Sequence, residues 1–251
     1  MEETGKNPIQ VAERLFQVIE RLAENGPMGI MDLSAELGFH KSTTHRLVTS
    51  LQYMGYIRQD EESLKYALSL KFLEIGSKIL EQTNMASLIH PSLKKLSEQT
   101  GETVHLVRRE GTEAVYIDKV ESTVSSIRMV SRVGSRIPLY CSGVGKALLA
   151  ELPDPEIEDI WNSSEITSLT PYTVTSLSDL MDRIRGVREA GFAMDDEENE
   201  EGVRCIAVSI PDYHKEPVYA LSISAPVSRM TDARIAELST DVLTFKKDLE
   251  K

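Results

Sequence analysis

Helical patterns that end at glycines restrict what the N-terminal part of this chain can fold into. In "IQVAERLFQVIERLAENG" apolar residues recur at three- and four-residue steps before Gly26-Pro27, at Val11, Leu15, Val18, Ile19 and Leu22. A shorter helix is predicted in "GIMDLSAELG", with Ile30, Leu33 and Leu37 inward. Gly38 is suited to the left-handed turn that ends such a helix. The pattern predicts two amphipathic helices and a tight turn.

The third predicted helix lies in an acid-free stretch of an acidic chain. Gly38 to Gln59 contains no Asp or Glu, although the formal net charge is -12. Ser42 is the predicted N-cap, and core spacing follows at Thr44, Leu47, Val48, Leu51 and Met54. The residues that then point outward are Lys41, Ser42, Thr43, His45, Arg46 and Thr49. Two short helices on a glycine turn, the second with exposed cations near its start, are typical of a DNA-reading helix-turn-helix.

A β-hairpin is predicted after this helix. Tyr56 to Gln59 and Lys65 to Leu68 are short β-like runs separated by a polar turn. In a helix-turn-helix domain this hairpin would be a wing, from which Arg58 or Lys65 reaches the DNA backbone or minor groove. The alternative is a solvated bundle or a protein-interaction module. Helix order, turn, cation placement and hairpin together favour DNA binding.

The rest of the chain predicts a second, larger domain, joined near Asn84. One helix is marked by Leu70, Leu73, Ile75, Ile79 and Leu80, and a second, ending at Gly101, by Leu88, Leu93 and Leu96. Strands are predicted in "TVHLVRR", "AVYIDKV", "SIRMVSR", "RCIAVSI" and "VYALSIS". Helices are predicted in "GVGKALLAEL", "SLSDLMDRIRGVREAG" and "TDARIAELSTDVLTFKKDLEK". This order predicts an antiparallel or mixed sheet flanked by helices.

The stretch "LYCSGVGKALLA" resembles a phosphate loop but fails its pattern. A phosphate loop needs Gly where Tyr140 stands and Ser or Thr where Ala147 stands. Backbone N–H groups at Gly143, Val144 and Gly145 would still favour a small carboxylate at a helix N-terminus. A plain helix start with close packing explains the stretch equally well.

The remaining candidate groups favour structural roles. The run "AMDDEENEEGVRCIAV" lacks the calcium-loop pattern and is best interpreted as a solvated acidic loop. Cys205 has no nearby His, so a buried thiol is favoured over a nucleophile. Cys141 and Cys205 are isolated, which argues against disulfides and zinc and favours a reducing cytoplasm. No apolar run approaches the roughly 20 residues of a membrane span, and no metal or cofactor is expected.

The chain resembles the IclR family of bacterial transcriptional regulators over nearly its full length. The residues that carry the resemblance are "KSTTHRLVTSLQYMGYI" and "KYALSLKFLEIG" in the first half. In the second half they are "SRVGSRIPLYCSGVGKALLA", "AGFAMDDEENEEGVRCIAVSI" and "LSISAPVSRM". Within the family, "VYIDKVES" and "NEEGVRCIAV" are most similar to the KdgR-type subgroup, which represses 2-keto-3-deoxygluconate catabolism.

The resemblance implies an α+β fold with three parts. A winged helix-turn-helix would occupy residues 1–69, a connecting dimerisation helix residues 70–83, and a GAF-like α/β effector-binding domain residues 84–251. The effector site that the resemblance implies consists of Met129, Ile137, Gly143, Val144, Asp195, Val203, Cys205, Ser222 and Ser224. Two amides and two hydroxyls can hold a carboxylate, and Asp195 can accept from an effector hydroxyl. The glycines of "CSGVGK" depart from the KdgR type and are more similar to the glyoxylate and pyruvate responders.

The expected function is ligand-responsive transcriptional regulation, with no catalytic residues. The predicted DNA contacts are made by Lys41, Ser42, Thr43 and His45 in the groove and by Arg46 and Arg58 on phosphate. The expected partners are a palindromic double-stranded operator, a second copy in a homodimer or homotetramer, and a carboxylate such as 2-keto-3-deoxygluconate, pyruvate or glyoxylate. Repression of a carbohydrate-acid or organic-acid operon is favoured over activation, and over an enzyme that acts on a sugar acid.

Overall fold

The computed structural model describes residues 8–82, 84–122, 130–212 and 216–249. The chain divides into two compact units between residues 82 and 83. The first unit contains α1 (Gln10–Asn25), α2 (Ile30–Leu37), α3 (Lys41–Tyr53), β1 (Ile57–Gln59), β2 (Tyr66–Leu68) and α4 (Lys71–Gln82). The predicted three helices, hairpin and following helix are all present.

The core of the first unit is formed where the helices cross. Its buried apolar residues come from all three N-terminal helices and the hairpin, and include Val18, Leu22, Leu33, Leu47, Val48, Leu51 and Ile57. The hairpin strands pair antiparallel, with Arg58 opposite Ala67. Met28 exchanges backbone hydrogen bonds of 2.8 and 3.0 Å with Tyr66, which fastens the loop between α1 and α2 to the hairpin.

Some apolar residues that were used to predict the helices are exposed, among them Val11, Met54 and Leu88, and also Leu70, Leu73 and Ile75. Val11 is 60% exposed because it lies in the first turn of α1, before the helix reaches the core. Met54 is 39% exposed because α3 ends at Tyr53. Leu88 is 60% exposed on the outer side of the helix that opens the second unit.

The second unit is a helix-flanked sheet. Its helices are α5 (Asn84–Thr100), α6 (Gly143–Leu149), α7 (Asp154–Ser163), α8 (Leu177–Ala190) and α9 (Asp232–Leu249). Its strands are β3 (Thr103–Glu110), β4 (Glu113–Val120), β5 (Arg136–Pro138), β6 (Ala193–Asp196), β7 (Val203–Ile210) and β8 (Tyr219–Pro226). In the described residues the strand order is β5-β4-β3-β8-β7-β6, and each neighbouring pair is antiparallel. The predicted α+β class is confirmed.

Strand alternation sends side chains to two different cores. One face packs against α5 and α9, through residues such as Leu106, Ile206 and Leu221. The opposite face packs against α6, α7 and α8 and carries small residues, among them Ala207 and Ala220. These small residues let α6 approach the strands closely.

Sequence patterning missed the short elements. The strands β5 and β6 were not predicted, since three or four residues are too few to show an alternation. The helix α7 was also not predicted. Part of the predicted strand "SIRMVSR" lies outside the described residues, and its described part, residues 130–132, is not a strand. No helix of the described residues is long and apolar enough to cross a membrane.

Candidate functional site

The turn between α2 and α3 fixes the exposed face of the first unit. Gly38 adopts the predicted left-handed conformation, with φ 65°. The N–H of Phe39 donates to the carbonyl oxygen of Ser34 at 3.1 Å. The hydroxyl of Ser34 then donates to the buried Oγ1 of Thr44 at 3.0 Å. These bonds tie the start of α3 to the end of α2.

The exposed face of α3 carries the side chains that the sequence singled out. Lys41, Ser42, His45 and Arg46 are exposed, and Thr43 is half-buried. Arg58 is exposed on β1. Thr49 lies 3.4 Å from His45 Nδ1 and orients that ring. Within the described residues, no carboxylate forms an ion pair with Lys41 or Arg46, so their charges are available to phosphates, whereas the charge of Arg58 also acts on the carboxyl of Asp60.

The start of α3 differs electrostatically from the other helices of its unit. The first turns of α1, α2 and α4 carry Glu13, Asp32 and Glu74, whereas the first turn of α3 carries no acid and begins with Lys41. Acids stabilise a helix N-terminus and cations oppose it, so helix stability does not explain this arrangement. An anion that binds at the start of α3 would be attracted both by Lys41 and by the positive end of the helix dipole.

The predicted N-cap at Ser42 is wrong. His40 occupies the N-cap position of α3, in an extended conformation and with no side-chain capping bond. Ser42 is therefore exposed within the first turn of the helix. Its hydroxyl is on the outer surface and is not used to close the helix start.

A second candidate site lies on the α6 face of the larger sheet. Sheet register places Asp195 opposite Cys205, and Cys205 opposite Ser224. In the next row Ser222 lies opposite His105. A Cβ added to Gly143 would lie 3.5 Å from the Cβ of Asp195. The start of α6 therefore lies over the row that contains Asp195. Residues far apart in sequence thus form one polar patch.

Asp195 is the buried carboxyl of this patch. Only 4% of the residue is exposed, and its Oδ1 accepts the backbone N–H of Glu198 at 2.8 Å. Burial raises the pKa of Asp195 to about 7, against the lowering effects of the Lys146 charge and of its backbone hydrogen bonds. Near neutral pH the carboxyl can therefore accept or donate a hydrogen bond.

A buried ion pair that the sequence did not suggest lies beside Asp195. Lys146 Nζ donates to Glu198 Oε1, and the two side chains are 2% and 3% exposed. The other carboxylate oxygen, Glu198 Oε2, is buried without a hydrogen-bond partner among the described residues. Thr173 donates to the carbonyl oxygen of Glu198 at 2.6 Å and holds the backbone of this turn.

The interpretation of the acidic run as a solvated loop is therefore wrong in part. Its first residues form β6, and Asp195 and Glu198 are buried among polar partners. The remaining acids, Asp196, Glu197, Glu200 and Glu201, are half-buried or exposed. A run of acids gives no signal for which of them fold inward.

His105 is a further residue of the patch that the sequence analysis missed. It is 2% exposed, and its Nδ1 lies 3.4 Å from Ser222 Oγ and 3.3 Å from Ser224 Oγ. Its ring meets that of Tyr116 edge to face at 5.1 Å. Its position in the alternating pattern "TVHLVRR" places it on the same face as the serines only once the register of β3 with β8 is known.

The thiols of this unit are neutral. Burial, with the nearby Asp195 charge, raises the pKa of Cys205 well above its ordinary value. Burial raises the pKa of Cys141 to about 12. Cys205 is half-buried, so the predicted buried thiol is buried only in part. Among the described residues no cluster of three or more His, Cys, Asp or Glu could hold a metal ion.

The remaining predicted site residues have different placements. Val144 is buried in α6, Ile137 is buried on the edge strand β5, and Val203 is half-buried at the start of β7. Met129 lies outside the described residues. The N–H of Gly145 donates to the hydroxyl of Ser142, the N-cap of α6. In the first turn of α6, among the described residues, the N–H groups of Gly143 and Val144 are left without an intrahelical acceptor.

Known proteins share both units. Residues 11–61 match the family described as "IclR helix-turn-helix domain", and residues 77–250 match "Bacterial transcriptional regulator IclR C-terminal". The chain is 36% identical to the acetate operon repressor of Salmonella typhimurium, over 96% of the chain and 89% of that protein. It is 36% identical to the regulator KdgR of Escherichia coli, over 92% and 89% respectively. The crystal structure of the Thermotoga maritima IclR has a TM-score of 0.80 and 31% identity, covering 96% of this chain and 99% of that one.

Proposed function

The chain belongs to the IclR family of bacterial transcriptional regulators, and from this premise we propose that it is a ligand-responsive repressor of a small-acid catabolic operon. Its first unit would bind a palindromic operator, and its second unit would bind a small carboxylate. The observation that carries the proposal is the polar patch of Asp195, Cys205, Ser222 and Ser224 under the start of α6.

The polar patch has the groups that a small hydroxylated acid requires. The first-turn N–H groups of Gly143 and Val144 lie at the positive end of a helix dipole and favour a carboxylate. The hydroxyls of Ser222 and Ser224 are further donors, and Asp195 can bond to a hydroxyl on the same ligand. Ile137, Val203 and Met129 would supply apolar contacts around these groups.

The exposed face of α3 supports operator binding. Lys41, Ser42, Thr43 and His45 would read base edges in the major groove, and Arg46 and Arg58 would contact phosphate. Their positions on one helix and one hairpin strand agree with a winged reading head. A dimer would bring two such heads to half-sites about 34 Å apart or a multiple of it.

We propose a population shift as the mechanism of release. The effector would favour one arrangement of the second units in the dimer. Through the connecting helices, this arrangement would hold the two helix-turn-helix domains at a spacing that does not match the operator half-sites. Exposed apolar residues at α4, Leu70 at 81% and Leu73 at 69%, would be covered in a homodimer. A tetramer of such dimers, in the cytoplasm, is part of the same proposal.

The proposed effector is a small carboxylate of the class of 2-keto-3-deoxygluconate, pyruvate or glyoxylate. The two curated relatives named above are equally identical to this chain, so overall identity does not choose between 2-keto-3-deoxygluconate, pyruvate and glyoxylate. The alternative is that the chain activates transcription of the operon instead of repressing it. Catalysis on a sugar acid is disfavoured, since the raised pKa values of Cys141 and Cys205 keep both thiols protonated.

A thermal-shift experiment on the full chain tests the effector site. A ligand at 100 times its dissociation constant adds about 2.7 kcal/mol of stability. We expect one of the three acids to raise the melting temperature of the wild type but not of Ser224→Ala. Ser209→Ala is the matched control, because Ser209 is also a buried serine of this sheet but bonds to Glu151. Equal shifts in both variants would place the ligand elsewhere.

A further inference from the structure

His105 lies where the two effector-site serines meet the loop between β4 and β5. Its Nδ1 is 3.3 to 3.4 Å from the hydroxyls of Ser224 and Ser222. Its Nε2 is 2.7 Å from the hydroxyl of Ser131, which lies in that loop. The same ring therefore contacts the site on one side and a different segment of the chain on the other.

The imidazole is neutral, and so its two nitrogens have opposite roles. Burial, together with the charge of Lys119 opposite it on β4, lowers the pKa of His105 to about 3. Lys119 Nζ donates to the backbone oxygen of Ser131 at 2.8 Å and pairs with Glu121 at 3.1 Å. With one proton on the ring, one nitrogen donates while the other accepts.

The ring nitrogen of His105 that carries the proton determines how many hydroxyl protons of Ser222 and Ser224 are free to bond to a ligand. If Nδ1 accepts, Ser222 or Ser224 must use its only hydroxyl proton on the ring. If Nδ1 carries the proton, it donates to the serine oxygens, and both hydroxyl protons can point to a ligand. In the second case Nε2 accepts from the hydroxyl of Ser131. A carboxylate, which only accepts, is bound best by the second arrangement.

We propose that His105 is a positioning residue of the effector site, and that a bound carboxylate selects the neutral ring with its proton on Nδ1. This inference rests on the proposed effector function. The selection is a population shift between two neutral forms. Protons balance, because the proton that leaves Nε2 passes to water and one from water is taken up at Nδ1. The hydroxyl of Ser131 turns to donate to Nε2, so ligand binding is transmitted from the site to Ser131.

Nuclear magnetic resonance of the full chain labelled with ¹⁵N-histidine tests this directly. The chain has five histidines, and His105→Asn identifies the signals of His105 by their loss. Pyruvate, glyoxylate and 2-keto-3-deoxygluconate are the probes, and calorimetry on the same sample measures binding. On saturation we expect the Nδ1 signal of His105 to be of the protonated type and the Nε2 signal to be of the unprotonated type. Binding that leaves the proton on Nε2 overturns the inference alone; no binding by any probe overturns the proposed function and the inference with it.

Two substitutions separate positioning from packing. His105→Phe keeps a ring against Tyr116 but removes both nitrogens, and we expect it to weaken binding of the probe acid about tenfold or more. His105→Asn keeps an N–H donor close to the position of Nδ1 and should recover most of that loss. His90→Phe is the control, because His90 is an exposed histidine on α5 that bonds to Asp118. Wild-type affinity in His105→Phe, or equal losses in the Phe and Asn variants, would overturn the positioning role.

Discussion

Lys146 and Glu198 form an ion pair whose two side chains are 2% and 3% exposed, beside the buried carboxyl of Asp195. Removing one partner of a buried pair leaves an uncompensated charge and typically costs about 3–5 kcal/mol. We therefore expect Lys146→Met to lower the free energy of unfolding of the second unit by about that amount. Urea unfolding followed by fluorescence measures it, because Trp161 is the single tryptophan and lies in α7.

The matched control is an exposed pair in the same unit. Lys94 and Glu98 are 66% and 63% exposed on α5, with 4.0 Å between their charged atoms. Lys94→Met should change the free energy of unfolding by about 0.5 kcal/mol or less. If Lys146→Met is as mild as this control, the buried pair does not stabilise the unit as its burial suggests.

Gly145 must be a glycine because the backbone of Leu139 lies too close for a side chain. A Cβ at this position would lie 2.1 Å from the carbonyl oxygen of Leu139. We expect Gly145→Ala to destabilise the second unit by about 3 kcal/mol, because the start of α6 must move. Gly186→Ala, in the open middle of α8, should instead stabilise it by about 0.5–1 kcal/mol. Urea midpoints that move in the same direction for both variants would contradict this packing.

Asp195 makes stability depend on pH with a definite sign. Its folded pKa of about 7 is above its ordinary value of 3.8, so the folded state holds the proton more tightly between these values. Its contribution to stability is present at low pH and is lost as pH rises from about 4 to about 7. Asp195→Asn keeps the oxygen that accepts from Glu198 and removes this titration. We expect the variant to gain stability relative to the wild type over this interval, by a few kcal/mol in total at about 1.4 kcal/mol per pKa unit.

Urea unfolding of both proteins at pH 5 and pH 8 provides the comparison. The difference between the two proteins is the informative quantity, because His105, whose pKa is lowered, titrates in both and cancels. A difference that does not change between the two pH values would show that Asp195 is ionised throughout.

Each cation of α3 that contacts a phosphate should add to the salt dependence of DNA binding. If Arg46 contacts a phosphate in each half-site, Arg46→Ala lowers the slope of log affinity against log salt concentration by about 1.8 for the dimer, which is about 0.9 for each contact. Lys78→Ala is the control, since Lys78 is an exposed cation of the same unit that pairs with Glu74 on α4. Fluorescence anisotropy with a labelled duplex over a range of salt concentrations measures the slope. Equal slopes in the wild type and Arg46→Ala would remove Arg46 from the proposed interface.

Elements with a strong local period were predictable from the sequence. The three N-terminal helices, the glycine turn at Gly38 and the hairpin depend on contacts that are close in sequence, and the structure has them. The capping residue of α3 was predicted wrongly, because His40 and Ser42 are both compatible with a helix start and only the backbone geometry separates them. The short strands β5 and β6 have too few residues to show an alternation.

The buried polar partners of the second unit could not be predicted. Lys146 and Glu198 are 52 positions apart, and His105 and Ser222 are 117 positions apart. Strand order and register bring them together, and neither can be worked out from one local pattern. Asp195 was assigned to the effector site by family resemblance, whereas its burial and raised pKa emerge only from the fold.

Effector-dependent release of DNA is the central claim, and anisotropy with the full chain measures it most directly. The duplex is first obtained by in vitro selection with the chain itself, and binding is measured with and without 2-keto-3-deoxygluconate, pyruvate and glyoxylate. We expect at least one acid to weaken binding about tenfold or more in the wild type and to have little effect in Ser222→Ala combined with Ser224→Ala. Unchanged affinity with all three acids, in a protein that binds the duplex tightly, would contradict the account.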